Sequence, residues 1–266
     1  MISEDTHSQP SESSQGRALI DLLPRIRVAG VPLVAVPADD LLKRLSLVAG
    51  DLRGEGVAVH FVNAYTVSLT HDERYLRLFN SRAVNLADGT PLAWLATRQR
   101  SDVAHVRGPD AFRAILAAGD GGMRHFLLGG TEESLGRLQA TVAREFPSAR
   151  VVGAFSPPFR ELTGIELRAV DDKITASGAN MIWVGIGTPK QDYEVDRLAR
   201  EHAAVVLAVG AAFNFLSGDV VEAPALVRRT GLEWLFRLVR EPRRLWRRYL
   251  IGNLGFLALA WKRRNE

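Results

Sequence analysis

The 266 residues carry 34 Lys or Arg against 30 Asp or Glu, with 47% hydrophobic and 24% charged side chains. That balance excludes a disordered or collagen-like chain, and the length suits one large domain, or a core with an appendage. The absence of cysteine removes a disulfide framework, a thiol nucleophile and any cysteine metal site, and fits a reducing cytoplasm.

The chain opens on MISEDTHSQPSESSQGR, polar and acidic before it is basic. It lacks the basic and apolar regions of a secretory signal, so residues 1–17 read as a disordered leader. Short apolar runs then alternate with helical patterns. Val57 to Val62 reads as a buried strand, followed by a helical stretch from about Tyr65 to Asn80. Ala83 to Ala87 is a second strand, with a helix expected from Thr90-Pro91. Arg124 to Gly129 is a third, with a helix from Thr131. Ala149 to Phe155, Asn180 to Gly187 and Ala204 to Gly210 complete the series. Continuous apolar strands between helices predict a parallel sheet covered on both faces. The expected fold is α/β, a Rossmann-like doubly wound core over residues 18–227.

Residues 228–266 differ in kind. They hold ten Arg and one Lys against three Glu, a net charge of +8, and leave the other 227 residues at −4. Trp234, Phe236, Trp246, Tyr249, Phe256 and Trp261 are interleaved with the arginines. The uncharged run from Tyr249 to Trp261 has 13 residues, short of the roughly 20 that span a bilayer as a helix. Two readings stand: an interfacial helix on anionic lipid, or a helical hairpin packed on the core or on another subunit.

In an open parallel sheet, ligands bind beyond the carboxyl ends of the strands. Asn63, Asp88-Gly89, Gly129-Gly130, Gly185-Ile186-Gly187 and Gly210 all follow apolar runs and face one crevice by that rule. Asp88 is placed to take a proton as a general base. It is equally placed to open a turn, with Thr90-Pro91 as cap and first helical residue. GIGTPKQD combines glycines that admit a phosphate with a helix N-terminus that attracts anions. Thr188 and Gln191 there also have capping-box spacing, which would tie Gln191 to its own helix. Arg107 precedes a helix and suits a bidentate grip on phosphate or carboxylate; a surface arginine is the plainer reading. No D-x-D pair, metal-binding histidine pattern, Walker lysine loop or nucleophile elbow is present.

At these residues the sequence resembles the WecG/TagA/CpsF glycosyltransferases. FVNAYTVSL, NLADGTPLAWL, RGPDAF, FLLGG, WVGIGTPKQD, VGAAFNFLSG and EWLFRLVREPRRLWRRY follow in the family's order from about Val31 to Trp261. The resemblance implies an inverting transferase that uses a UDP-sugar, has no cofactor and needs no essential metal. Its acceptor would be a sugar on polyprenyl diphosphate at the inner face of the plasma membrane. It implies Asp88 as base, with Asn63 beside it. Arg107, Gly185, Gly187 and Gln191 would serve the donor, and Arg244, Arg247 and Arg248 its diphosphate. Many members carry Thr two positions before the asparagine, where this chain has Phe61. The expected partners are the donor, the lipid-linked acceptor, an anionic membrane surface and a second copy of the chain through its aromatic tail, with no nucleic acid. Two rivals remain: an oxidoreductase with a nucleotide cofactor, and a non-catalytic membrane-associated assembly protein.

Overall fold

The computed structural model describes residues 15–263 apart from Ser81, Ser101, Ala104 and Asp120. Most of the expected leader, residues 1–14, lies outside that range, while Gln15–Asp21 forms helix α1. An antiparallel hairpin of β1 (Arg25–Val28) and β2 (Val31–Val34) follows, then α2 (Ala38–Ala49). The core runs β3 (Val57–Val62), α3 (Ala64–Leu69), α4 (Glu73–Asn80), β4 (Val84–Ala87), α5 (Thr90–Gln99) and α6 (Gly108–Ala117). It continues β5 (Arg124–Gly129), α7 (Glu132–Glu145), β6 (Arg150–Phe155), α8 (Gly164–Ser177), β7 (Met181–Gly185), α9 (Lys190–Glu201), β8 (Val205–Ala208) and α10 (Ala212–Leu216). Three helices close the chain: α11 (Ala225–Arg229), α12 (Glu233–Arg240) and α13 (Pro242–Lys262).

Strands β3 to β8 form one parallel sheet in the order β4-β3-β8-β7-β5-β6, the doubly wound arrangement expected. Successive strand residues point to opposite faces, and both faces are covered. Val57, Val59 and Phe61 join Trp183 and Leu207 in a core under α2, α6, α7 and α10. Ala58, Ile182, Val184 and Val206 pack under α8 and α9. Trp183 is fully buried, its ring 4.6 Å from that of Phe112 in an edge-to-face pair. Burial of side chains this large stabilises by about 1.5–3 kcal/mol each.

The single helix expected from Tyr65 to Asn80 is two helices. The Thr70 hydroxyl donates back to the Val67 carbonyl at 2.7 Å, and the Asp72 carboxylate accepts from the Arg74 N–H at 2.8 Å. Short polar side chains compete here for the backbone and restart the helix.

The tail is packed on the core. Helix α13 lies along α3 so closely that a Cβ on Gly252 would sit 2.9 Å from the Tyr65 ring, and one on Gly255 3.1 Å from Ser68 Cβ. Phe256 is buried among β1–β2 and α3–α5 residues, and Arg263 donates to the Thr70 hydroxyl and carbonyl at 3.0 and 3.1 Å. The opposite side of α13 exposes Trp246, Leu250, Leu254 and Leu257. No helix among the described residues is long and apolar enough to cross a membrane.

Candidate active site

Because all six strands run the same way, their carboxyl ends open on one edge, and a cavity of about 1070 Å³ lies there. Asn63, Asp88, Arg107, Gly185, Gly187, Gln191, Arg244 and Arg248 all line it. Arg247 does not: it is exposed, with its guanidinium 5.2 Å over the Trp246 ring. On a helix, residues 244 and 248 are i, i+4 neighbours, whereas 247 is turned about 100° from 248.

Asp88 follows β4, its N–H bonded to the Val62 carbonyl at the end of β3. The next residue, Gly89, caps α5 at φ 82°. The expected cap by Thr90 is therefore displaced by one residue, and Asp88 makes no cap of its own. Asp88 is half-buried, and burial, then the Glu233 carboxylate, push its carboxyl up to about 6 against the pull of Arg107, Asn63 and Arg248. Asn63 caps α3, its side-chain oxygen accepting from the Thr66 N–H at 3.1 Å and hydroxyl at 3.3 Å. That fixes the oxygen on the helix, so the amide N–H group is the end that bonds Asp88. Phe61, buried in β3, forms an apolar wall of the same cavity.

Arg107 is brought alongside by a short extension of the sheet, in which His105 bridges Ala87 and the Val106 N–H bonds the Ala87 carbonyl at 3.0 Å. It is already engaged. Its guanidinium donates to Asp110 at 3.0 and 3.1 Å, to Glu222 at 3.0 Å and to Glu233 at 2.9 Å. Burial alone would lower its pKa, and Glu233 leads the carboxylates that reverse this and raise it.

The two glycines of WVGIGTPKQD have different local surroundings. A Cβ on Gly185 would lie 2.7 Å from the Phe213 ring, and Gly187 turns the chain at φ 86° with open space beside it. The capping box is not formed. Helix α9 begins at Lys190 with no side-chain cap, and the Gln191 N–H bonds Gly187 rather than Thr188. The Gln191 side chain instead spans the turn, accepting from the Gly187 N–H at 3.2 Å and donating to the Thr188 hydroxyl and Ala208 carbonyl, both at 3.3 Å. It ties the end of β7 to that of β8.

A family model decides among the readings: the Glycosyl transferase WecG/TagA/CpsF family matches residues 26–266. The chain belongs to this family. It is a glycosyltransferase of cell-surface polysaccharide synthesis, and the oxidoreductase reading falls away.

The most cationic wall of this glycosyltransferase cavity is built by the appendage. Arg248 stands over the Tyr65 ring at 4.9 Å, and Arg237 over that of Phe215 at 5.5 Å. Neither makes an ion pair among the described residues, and the Nε of each is buried without a hydrogen-bond partner. Burial, and Arg237 beside it, lower the pKa of Arg248. Arg244 is more exposed and pairs with Glu241 at 2.5 Å. Arg237 and Glu233 also line the cavity and were not legible there from the sequence. They sit four residues apart on one helix face, but Pro242 breaks the helix before Arg244, so periodicity does not carry across. Among the described residues no three His, Asp or Glu side chains cluster as a metal site.

Proposed function

We propose that the protein is an inverting transferase that moves a sugar from a UDP-sugar to a sugar carried on polyprenyl diphosphate, without an essential metal. The observation that carries this reading is a half-buried carboxyl near 6, Asp88, in one cavity with two guanidinium groups that make no ion pair among the described residues, Arg237 and Arg248. A base with a pKa close to the working pH is both ionised and proton-accepting. The acceptor hydroxyl gives its proton to Asp88 as its oxygen bonds the anomeric carbon from the face opposite the diphosphate. The bond from that carbon to the diphosphate oxygen breaks, and its electron pair leaves with UDP. Arg237 and Arg248 hold the charge that builds there. In this reading Arg248 keeps the diphosphate contact expected of it, Arg237 takes the place of Arg247, Arg107 is held by carboxylates instead of the donor, and Arg244 stands at the rim.

The exposed stripe of α13, with Arg240, Arg243 and Arg247 nearby, supports peripheral attachment to the anionic inner face of the membrane that holds the acceptor. Asp88→Asn tests the chemistry: UDP binding by calorimetry stays, and transfer to a prenyl-diphosphate sugar falls by about 10²–10⁴-fold. Undiminished turnover removes Asp88 from the mechanism. Product stereochemistry by NMR separates inversion from retention.

A further inference from the structure

Arg107 is held by carboxylates from three separate stretches of chain: Asp110 in its own helix, Glu222 beyond α10 and Glu233 at the start of α12. Two more arginines complete the cluster. Arg113 reaches Glu222 at 2.7 Å, and Arg228 reaches Glu222 at 3.1 Å and Asp110 at 3.6 Å. Three arginines meet three carboxylates, so the cluster is charge-balanced and keeps Arg107 occupied.

Glu233 differs from the other two carboxylates. It lines the cavity, and among them it is the one whose charge acts on Asp88. The chain leading to it has no slack, because Gly231 at φ 74° crosses the start of α5. A Cβ there would lie 2.8 Å from the Thr90 hydroxyl, two residues after Asp88.

We infer that Glu233 is a positioning residue for the transfer: paired with Arg107 at 2.9 Å it pins α12 over the cavity, and it sets a carboxylate on the cavity wall shared with Asp88. This rests on the reading of Asp88 as the base. The charged groups facing Asp88 are Glu233 from α12, Arg107 from the segment before α6 and Arg248 from α13, with Arg237 beside Arg248 and His105 beside Arg107. The two arginines pull the carboxyl toward its ordinary range, where it accepts a proton poorly. Burial and Glu233 oppose them.

The test is a carbon-detected NMR titration of the Asp88 carboxyl in the full-length, donor-free protein, in parallel with the pH profile of kcat/KM. Glu233→Gln removes the charge and keeps the shape. The Asp88 midpoint should fall by about 0.5–1 pH unit, as for loss of a like-charged neighbour, and the acid limb of kcat/KM should follow it. Glu233→Asp, which retains the charge, should keep both near the wild-type position. Hydrogen exchange over residues 242–262 should stay slow, because Gly252, Gly255 and Phe256 hold α13 independently. An unmoved midpoint with activity lowered equally at every pH makes Glu233 structural only and overturns the inference. A moved midpoint with lost protection across α13 overturns it too, since uncovering the carboxyl then explains the shift. The titration needs no donor, so a wild-type protein inactive on every UDP-sugar would sink the transferase reading and leave this result readable.

Discussion

The Asn63 side-chain oxygen is bound to the Thr66 N–H at 3.1 Å, so its amide N–H group is the end presented to Asp88. One residue thus caps a helix and orients the base. Asn63→Asp keeps the cap but places a second carboxylate against the first, which raises the Asp88 pKa above about 6. A base works deprotonated, so the acid limb of kcat/KM should move to higher pH and the rate at pH 7 should drop several-fold. Asn63→Ala should instead lose the cap, about 1 kcal/mol of stability, which thermal unfolding reads directly.

Asp88 costs the fold stability at neutral pH. Its carboxyl titrates near 6 in the folded protein against an ordinary 3.8. The native state therefore holds the extra proton between those values, and stability falls as pH rises through that window. The penalty is complete above about pH 6 and absent below about pH 4. Asp88→Asn, with no charge to bury, should be more stable than wild type at pH 7.5 by about 3 kcal/mol. At pH 4 the two melting temperatures should converge. Equal unfolding temperatures at both pH values would show that the carboxyl is not strained by its site.

Gln191 joins the ends of two strands through three hydrogen bonds. Gln191→Glu keeps the acceptor for the Gly187 N–H but sets an oxygen against the Ala208 carbonyl. Leaving a buried carbonyl unpaired costs about 1–3 kcal/mol. The variant should unfold at lower temperature and bind UDP more weakly, because the Gly185–Gly187 turn loses its anchor. Unchanged UDP affinity would separate the turn from the donor site.

The strand ends were legible in the sequence because β3, β4, β5 and β7 are runs of apolar residues that need no context to read, and the crevice rule then placed Asp88, Asn63 and the glycines together. The hairpin was not legible: Pro32 interrupts VPLV, and its partner RIRV alternates charge, yet Asn85 of β4 donates to the Pro32 carbonyl at 2.8 Å and fixes it beside the sheet. Nor was the role of Tyr65, since only the docked α13 brings Arg248 over its ring. Arg107 was legible as a pocket residue but not as an occupied one, because its partners Glu222 and Glu233 lie 115 and 126 positions away.

Helix α13 carries Arg248 to the cavity only while it stays against α3. Gly252→Val puts branched carbons where a single Cβ would already be 2.9 Å from Tyr65. Overpacking of this kind costs about 1–3 kcal/mol, and the helix is the element free to move. UDP affinity and transfer to a soluble acceptor analogue should both fall, while the unfolding temperature of the α/β core stays within a few degrees of wild type. Retained UDP affinity would show that Arg248 does not reach the donor.

The other side of α13 makes a separable prediction. Trp246, Leu250, Leu254 and Leu257 recur at helical spacing and are between 43% and 69% exposed, so charging them disturbs no core contact. The double variant Trp246→Glu, Leu254→Glu should keep its unfolding temperature and its UDP affinity. It should no longer sediment with anionic vesicles, and wild-type binding should itself weaken as salt rises, because the arginines act through a screened field. Turnover should then collapse for an acceptor embedded in vesicles and persist for a short-chain soluble one. If the variant instead halves the mass seen by light scattering and still binds vesicles, the stripe joins two copies of the chain rather than chain and lipid. A truncation cannot make this distinction, since removing α13 also uncovers Tyr65 and Ser68 on α3 and takes Arg248 from the site.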